Sequence, residues 1–156
     1  MKIKISLLRW SLLLLSIILI FFGGLLLIQI LTSKHIKFPY VIGTFTVSII
    51  FTIFSSLRII YLLNKLLNRM QLSIIFSQCT LETVKKIKDT ILITSIIFTG
   101  VLPFFYRIAT MEDAPGVMLL GIGITFIPFS VYLFSEIVME LFKNAINIKK
   151  DNDLTI

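Results

Sequence analysis

The chain has 156 residues, of which 57% are hydrophobic and 15% charged, and its formal net charge is +7. Soluble domains carry roughly 25% charged residues, so this composition excludes an ordinary soluble protein and indicates one integral membrane domain, residues 1–156. In a membrane protein an excess of Lys and Arg indicates topology first, and we expect no direct contact with nucleic acid.

Four stretches of the chain lack Asp, Glu, Lys and Arg, and each is close to the roughly 20 residues that cross about 30 Å of hydrocarbon. In chain order they predict transmembrane helices over about residues 10–32, 38–62, 90–107 and 114–136. Short connections join the first span to the second and the third to the fourth. The sequence therefore predicts an all-α membrane protein, with four transmembrane helices as two antiparallel hairpins and with cytoplasmic amphipathic segments.

Proline and glycine positions suggest details of the third and fourth spans. Pro103 removes a backbone donor inside the third span, which predicts a bend. Asp113 shortly before Pro115 is typical of an N-cap followed by a first-turn proline. Gly121 and Gly123 are small enough to let helices approach closely, and we favour packing over a gating hinge. The candidate structural motif consists of Pro103, Asp113, Pro115 and Gly116.

The distribution of Lys and Arg predicts the orientation in the membrane. Twelve of these residues flank the spans on the side of both termini and the middle connection, against three on the other side. Because the side rich in Lys and Arg stays in the cytoplasm, we expect a multi-pass protein of the bacterial plasma membrane with both termini cytoplasmic. Aromatic residues near the span ends fit two interfacial belts, with Trp10, Tyr61 and Tyr132 inside and Tyr40 and Tyr106 outside.

The middle connection, residues 64–89, is too apolar for a plain loop. Its residues 72–76 are expected at the membrane interface, and Ser77 is expected to cap a helix that continues into the third span. Apolar side chains recur along that helix with helical spacing, while Lys85, Lys86 and Lys88 lie largely off the apolar stripe. A basic amphipathic segment of this kind either contacts anionic lipid or binds a cytoplasmic protein. The apolar stripe consists of Leu81, Val84, Ile87 and Ile91.

The tail, residues 137–156, is expected to continue the fourth helix into the cytoplasm as a second amphipathic segment. Its predicted apolar face consists of Val138, Leu141, Ala145 and Ile148. Together, the middle connection and the tail supply the candidate partner-binding residues, which are Lys85, Lys86, Lys88, Lys143, Asn144, Ile148, Asp153 and Leu154.

The residues offer little for catalysis or coupled transport. Intramembrane hydrolysis or metal binding needs clustered His, Cys, Asp or Glu, whereas this chain has one His and one Cys and no carboxylate in the middle of a span. We therefore expect no enzyme activity, no catalytic, cofactor-binding or metal-binding residues, and no cofactor. Hydroxyl residues of the second span, Thr44, Ser48, Thr52 and Ser55, are expected to face the bundle.

Several segments of the second half resemble the domain of unknown function 2975 family, small four-span membrane proteins of Gram-positive bacteria. They are Phe76-Ser77, Val84-Lys85-Lys86-Ile87-Lys88, Leu102-Pro103-Phe104-Phe105-Tyr106, Asp113-Ala114-Pro115-Gly116, Lys143-Asn144-Ala145-Ile146-Asn147-Ile148-Lys149 and Asp151-Asn152-Asp153-Leu154-Thr155-Ile156. The resemblance implies a four-span fold without an established activity. It also implies a frequent genetic association with a small helix-turn-helix regulator.

Three functions are compatible with these features. The first is a non-enzymatic membrane protein that binds or sequesters a small cytoplasmic helix-turn-helix regulator through its two inner amphipathic segments. The second is a membrane-stress or peptide-immunity protein that acts through its outer connections, and the third is a small uncoupled transporter or channel. Besides the lipid bilayer and such a regulator, a second copy of the chain is a plausible partner, because four thin helices bury little surface.

Overall fold

The computed structural model describes residues 2–32, 39–71 and 77–153, which form helices joined by short connections. In chain order they are α1 (Lys2–Thr32), α2 (Pro39–Gln71), α3 (Gln78–Phe98), a 3-10 turn (Thr99–Val101), α4 (Leu102–Met111) and α5 (Pro115–Asp153). Four segments are long and apolar enough to cross a membrane, with α3, the turn and α4 forming one of them. The predicted class, an all-α membrane protein with four spanning helices, is confirmed.

The helices extend beyond the apolar stretches that predict the spans. α2 has 33 residues and α5 has 39, which correspond to about 50 Å and about 58 Å at 1.5 Å per residue, against about 30 Å of hydrocarbon. Lys, Arg and Glu are good helix formers, so a charged residue ends the apolar run without ending the helix. Much of the predicted middle connection is consequently helical.

The start of α3 has the cap that the sequence predicts. Ser77 has an extended backbone, and its hydroxyl accepts a hydrogen bond from the Thr80 backbone N–H at 3.3 Å. This bond satisfies one of the backbone donors that a helix start leaves without a partner. The predicted cap is confirmed, whereas the expectation for residues 72–76 lies outside the described residues.

α2 and α3 lie at the centre of the described bundle, because α2 packs against α1, α3 and α4 and α3 packs against α2 and α5, whereas α1 packs against α2 alone among the described helices. Arg9 near the start of α1 donates a hydrogen bond to the Asn68 side chain near the end of α2. Lys88 at the middle of α3 donates to Glu136, just past the middle of α5. A core of Leu62, Ile87 and Ile91 joins α2 to α3 and is extended by Ile59, Leu63 and Tyr132.

The third span is irregular next to Pro103. The 3-10 turn Thr99–Val101 separates α3 from α4, and Pro103 lies at the start of α4, where its missing N–H costs no helical bond. Instead of a continuous helix with a bend, the chain therefore has a break in regular α-helix. Gly100 in this turn lies against the Ser48 side chain, and a β-carbon at that position would clash with the Ser48 hydroxyl.

The connection between α4 and α5 places Asp113 differently from the prediction. Asp113 has a φ of 47°, in the left-handed region that ends many helices. The backbone N–H of Ala114 donates to the Ala109 carbonyl at 3.0 Å, which is the six-to-one bond of a Schellman motif. Asp113 thus terminates α4, and Ala114 is the residue directly before α5, whose first residue is Pro115. Gly116 follows in the first turn of α5 and is exposed.

The aromatic residues near the span ends are mostly exposed. Trp10, Tyr40, Tyr61 and Tyr106 lie on the surface of the bundle, as expected of side chains that contact the membrane interface. Tyr132 is partly buried and packs against the core of Leu62, Ile87 and Ile91. The assignment of these five residues to two interfacial belts stays a prediction.

Candidate functional site

A seam of buried hydroxyl side chains runs along α3. Each hydroxyl is buried, and most donate to a carbonyl four residues back in the same helix, for example Thr90 to Lys86 at 2.7 Å and Ser95 to Ile91 at 2.8 Å. These bonds satisfy the polar groups without a partner helix, while the small side chains let neighbouring helices approach. The seam consists of Thr80, Thr83, Thr90, Thr94 and Ser95.

The seam extends into the basic end of the bundle, which comprises α2 from Arg58, α3 up to Asp89 and α5 from Glu136. At 1.5 Å per residue, α5 continues roughly 27 Å beyond the end of the fourth uncharged stretch. α2 continues roughly 20 Å beyond the end of the second. At the opposite end, α2 begins at Pro39 and α5 at Pro115, with no such extensions among the described residues. The helical surface outside the hydrocarbon is therefore concentrated at the basic end.

A cleft of about 360 Å³ lies between α2 and α3 at the basic end. Four cationic side chains and one carboxylate line it, so its charge is strongly positive. Arg58, Leu62, Lys65 and Arg69 recur at helical spacing and contribute one face of α2. Leu62 is buried and Tyr61 is exposed. Among the described residues the lining consists of Arg58, Tyr61, Leu62, Lys65, Arg69, Cys79, Glu82, Thr83 and Lys86.

Arg69 connects the two sides of this cleft. Its guanidinium donates to the Cys79 carbonyl oxygen and to the Thr83 hydroxyl, the latter at 3.0 Å, and it lies 2.9 Å from the Cys79 sulfur. The planar, multidentate guanidinium suits this bridging role better than an ammonium group would. Arg69 is therefore fixed in place, whereas Arg58, Lys65 and Lys86 have no ion-pair partner within residues 2–32, 39–71 and 77–153.

A second polar contact joins α3 to α5. The Lys88 ammonium donates to Glu136 Oε1 at 3.1 Å and lies 5.9 Å from the centre of the Tyr132 ring. The Lys88 side chain is 13% exposed and that of Glu136 is 47% exposed. Partial burial strengthens such a pair relative to one on the open surface, so this contact links the basic ends of the two helices.

Comparisons with known proteins place this sequence in a family. The sequence pattern of the family described as "Protein of unknown function (DUF2975)" matches residues 2–156. The chain belongs to this DUF2975 family. The resemblance noted in the sequence is thereby confirmed, and it extends over the first half as well.

A curated relative supports the membrane assignment. The chain is 35% identical over 92 residues to "Uncharacterized membrane protein YoaS" of Bacillus subtilis (strain 168), an alignment that covers 59% of this chain. The chain spans 58% of that relative's length. No solved structure matches the chain.

In this DUF2975 protein the predicted basic residues of α3 separate into two groups. Lys85 and Lys86 are exposed, and Lys86 lines the cleft. Lys88 is instead engaged between α3 and α5. Arg58, Lys65, Arg69 and Glu82 were not predicted as neighbours of Lys86, although the spacing of the first three along α2 is visible in the sequence.

The predicted apolar face of the tail is partly packed and partly exposed. Ile146 is buried and Phe142 is partly buried, whereas Leu141 and Ile148 are 63% and 62% exposed. Val138 and Ala145, the other two residues of the predicted face, are partly buried. Lys143 and Asn144 are exposed, Asp153 is the last residue of α5, and Leu154 lies outside the described residues.

Proposed function

We propose that this DUF2975 protein is a non-enzymatic protein of the bacterial plasma membrane that binds a small helix-turn-helix regulator with the cytoplasmic part of α5. One observation carries the proposal: α5 presents exposed apolar side chains well beyond its uncharged stretch. Ile137, Leu141 and Ile148, with Asn144 between the last two, form one exposed stripe at helical spacing. We call these four residues the α5 stripe.

The depth of the α5 stripe favours a protein partner over lipid. At 1.5 Å per residue, Leu141 lies about 9 Å and Ile148 about 20 Å beyond Ser135, the last residue of the uncharged stretch. The polar layer of a bilayer is about 6 Å thick on each side, so an α5 that continues straight carries Ile148 into water. Exposed apolar side chains that recur every three or four residues are the usual anchors of helix-to-helix recognition.

A regulator that is itself a small helical protein suits such a stripe. We choose this partner because the family resemblance implies a genetic association with a small helix-turn-helix regulator. Lys143 and Lys149 lie beside the stripe on the exposed tail and suit acidic groups at the rim of a contact. Holding the regulator at the membrane keeps it from DNA, so the regulator rather than the membrane protein contacts nucleic acid.

The proposal requires the basic end to face the cytoplasm, and Cys79 tests this directly. Cys79 is the only cysteine of the chain and is exposed at the basic end. A membrane-impermeant maleimide polymer should leave the protein unmodified in intact cells and shift it fully on a gel after treatment of inside-out vesicles. Modification in intact cells would place the basic end outside and contradict the proposed orientation.

The partner is tested by crosslinking in living cells followed by purification and mass spectrometry. The wild-type protein should capture a helix-turn-helix protein, and Leu141→Asn with Ile148→Asn should reduce its yield at least about tenfold, because two apolar anchors are lost. Glu140→Gln with Asn147→Ala, on another exposed face of α5, should retain the regulator. Absence of a helix-turn-helix protein, or equal yields from the two variants, would rule out recognition by the α5 stripe.

A further inference from the structure

The cleft between α2 and α3 has more positive than negative side chains. Arg58, Lys65 and Lys86 approach the same space of about 360 Å³ without ion-pair partners in the described ranges. Glu82 is the one carboxylate that lines the cleft within the part of the chain that the structure describes. Like charges around a small space repel one another, so an anion bound between them is favoured. The volume falls in the range of small-ligand sites.

The level of the cleft along α2 points to the membrane interface. About 20 residues from Pro39 cross the hydrocarbon, which brings Arg58 to its boundary. Tyr61, one turn further, is 67% exposed at the rim of the cleft, where an aromatic side chain with a polar tip suits the headgroup layer. Lys65 follows another turn along the same face. Arg58 and Tyr61 therefore lie at the depth of the phospholipid phosphates, and Lys65, about 10 Å beyond Arg58 along α2, reaches back toward them with its long side chain.

We propose that this cleft binds the headgroup of an anionic glycerophospholipid. The phosphate accepts hydrogen bonds from Arg58, Lys65 and Lys86, while Glu82 accepts a hydrogen bond from a headgroup hydroxyl. Arg69 holds the two walls together through Cys79 and Thr83, so the cleft is formed before the lipid arrives. Basic pockets between transmembrane helices are a recurrent form of lipid recognition.

The Glu82 carboxylate favours a headgroup that carries a hydroxyl beside its phosphate, because a carboxylate accepts a hydrogen bond from a hydroxyl. The level of the cleft at the membrane interface favours a phospholipid over a soluble phosphate. Phosphatidylglycerol combines both features and serves as the probe. This site involves α2 and α3 and is independent of the α5 stripe.

The experiment measures lipid binding to the purified full-length protein in detergent by native mass spectrometry. Phosphatidylglycerol is titrated against phosphatidylcholine, which has no net charge. We expect Lys65→Gln with Lys86→Gln to weaken phosphatidylglycerol binding by about tenfold or more, because two cations at the phosphate are lost. The matched control, Lys143→Gln with Lys149→Gln, removes the same charge from exposed positions on α5 and should leave binding unchanged. Circular dichroism confirms that both variants are folded.

Two results would overturn the proposal. Equal weakening by the two variants would show attraction to net charge rather than binding in the cleft. Displacement of phosphatidylglycerol by inorganic phosphate or glycerol phosphate at submillimolar concentration would identify a soluble phosphate as the ligand instead of a lipid. Loss of the regulator from the α5 stripe variant is a separate result, so failure of one proposal leaves the other intact.

Discussion

Replacement of Ser95 by leucine should lower the free energy of unfolding of the bundle in detergent by about 1–3 kcal/mol. The Ser95 side chain has no exposed surface, and its hydroxyl donates to the Ile91 carbonyl at 2.8 Å within the same helix. α3 packs against both α2 and α5, so a larger side chain has no open space and must displace a neighbouring helix. Unfolding by sodium dodecyl sulfate, followed by circular dichroism, measures the change.

Ser130 supplies the matched control for this substitution. Its hydroxyl donates to the Phe126 carbonyl at 3.2 Å in the same way, but the side chain is exposed on α5. Ser130→Leu should change the free energy of unfolding by less than about 0.5 kcal/mol. Comparable losses from the two variants would show that the serine hydroxyl bond, and not the close packing of α3, is what the leucine disturbs.

The membrane class and the number of spans follow from the sequence because charge is costly in hydrocarbon. Uncharged stretches of about 20 residues can consequently be recognised in the sequence alone. The ends of the helices cannot, because the lipid limits where charged residues lie, whereas backbone hydrogen bonds let a helix continue past them. α5 shows the difference: its uncharged stretch ends at Ser135, and the helix continues to Asp153.

Which hydroxyl residues are buried was harder to predict, because rows of Ser and Thr occur on more than one helix. On α2 the prediction is correct at Ser48, which is buried, and wrong at Thr44, which is exposed. The longer buried row lies on α3 and was not predicted. Its burial depends on α3 having neighbours on two sides, and that position in the bundle is a property of the tertiary arrangement.

The candidate site is predictable from the sequence only in part, because it too depends on how the helices pack. The concentration of Lys and Arg at one end follows from composition along the chain, but their pairing does not. Lys88 and Glu136 are 48 residues apart in sequence and meet only because α3 and α5 pack together. Lys88 is partly buried in this contact, whereas Lys85 and Lys86 are exposed. The positions of Lys and Arg in the sequence thus predict which end of the bundle is basic, whereas helix packing determines which of these residues are exposed there.

Gly121→Leu is the second substitution with a large expected effect. A β-carbon at Gly121 would lie 2.6 Å from both Cβ and Cγ of Phe105, a separation that requires α4 or α5 to move. Phe105 cannot avoid the contact by rotation alone, because its own Cβ is one of the two nearest atoms. We expect the free energy of unfolding to fall by about 1–3 kcal/mol or more in the same detergent assay.

Gly123 and Phe105 make this prediction specific. Gly123 lies one half-turn further along α5, where a β-carbon would meet no neighbouring atom of the described residues within 4 Å, so Gly123→Leu should have little effect. The two glycines have the same helix propensity, and leucine improves it equally at both sites, so the difference between the variants isolates the clash. In the Phe105→Gly background, which removes both the Cβ and the Cγ atom, the cost of Gly121→Leu should shrink, because contacting residues couple. An equal cost in both backgrounds would show that Gly121 does not serve as the contact point between α4 and α5.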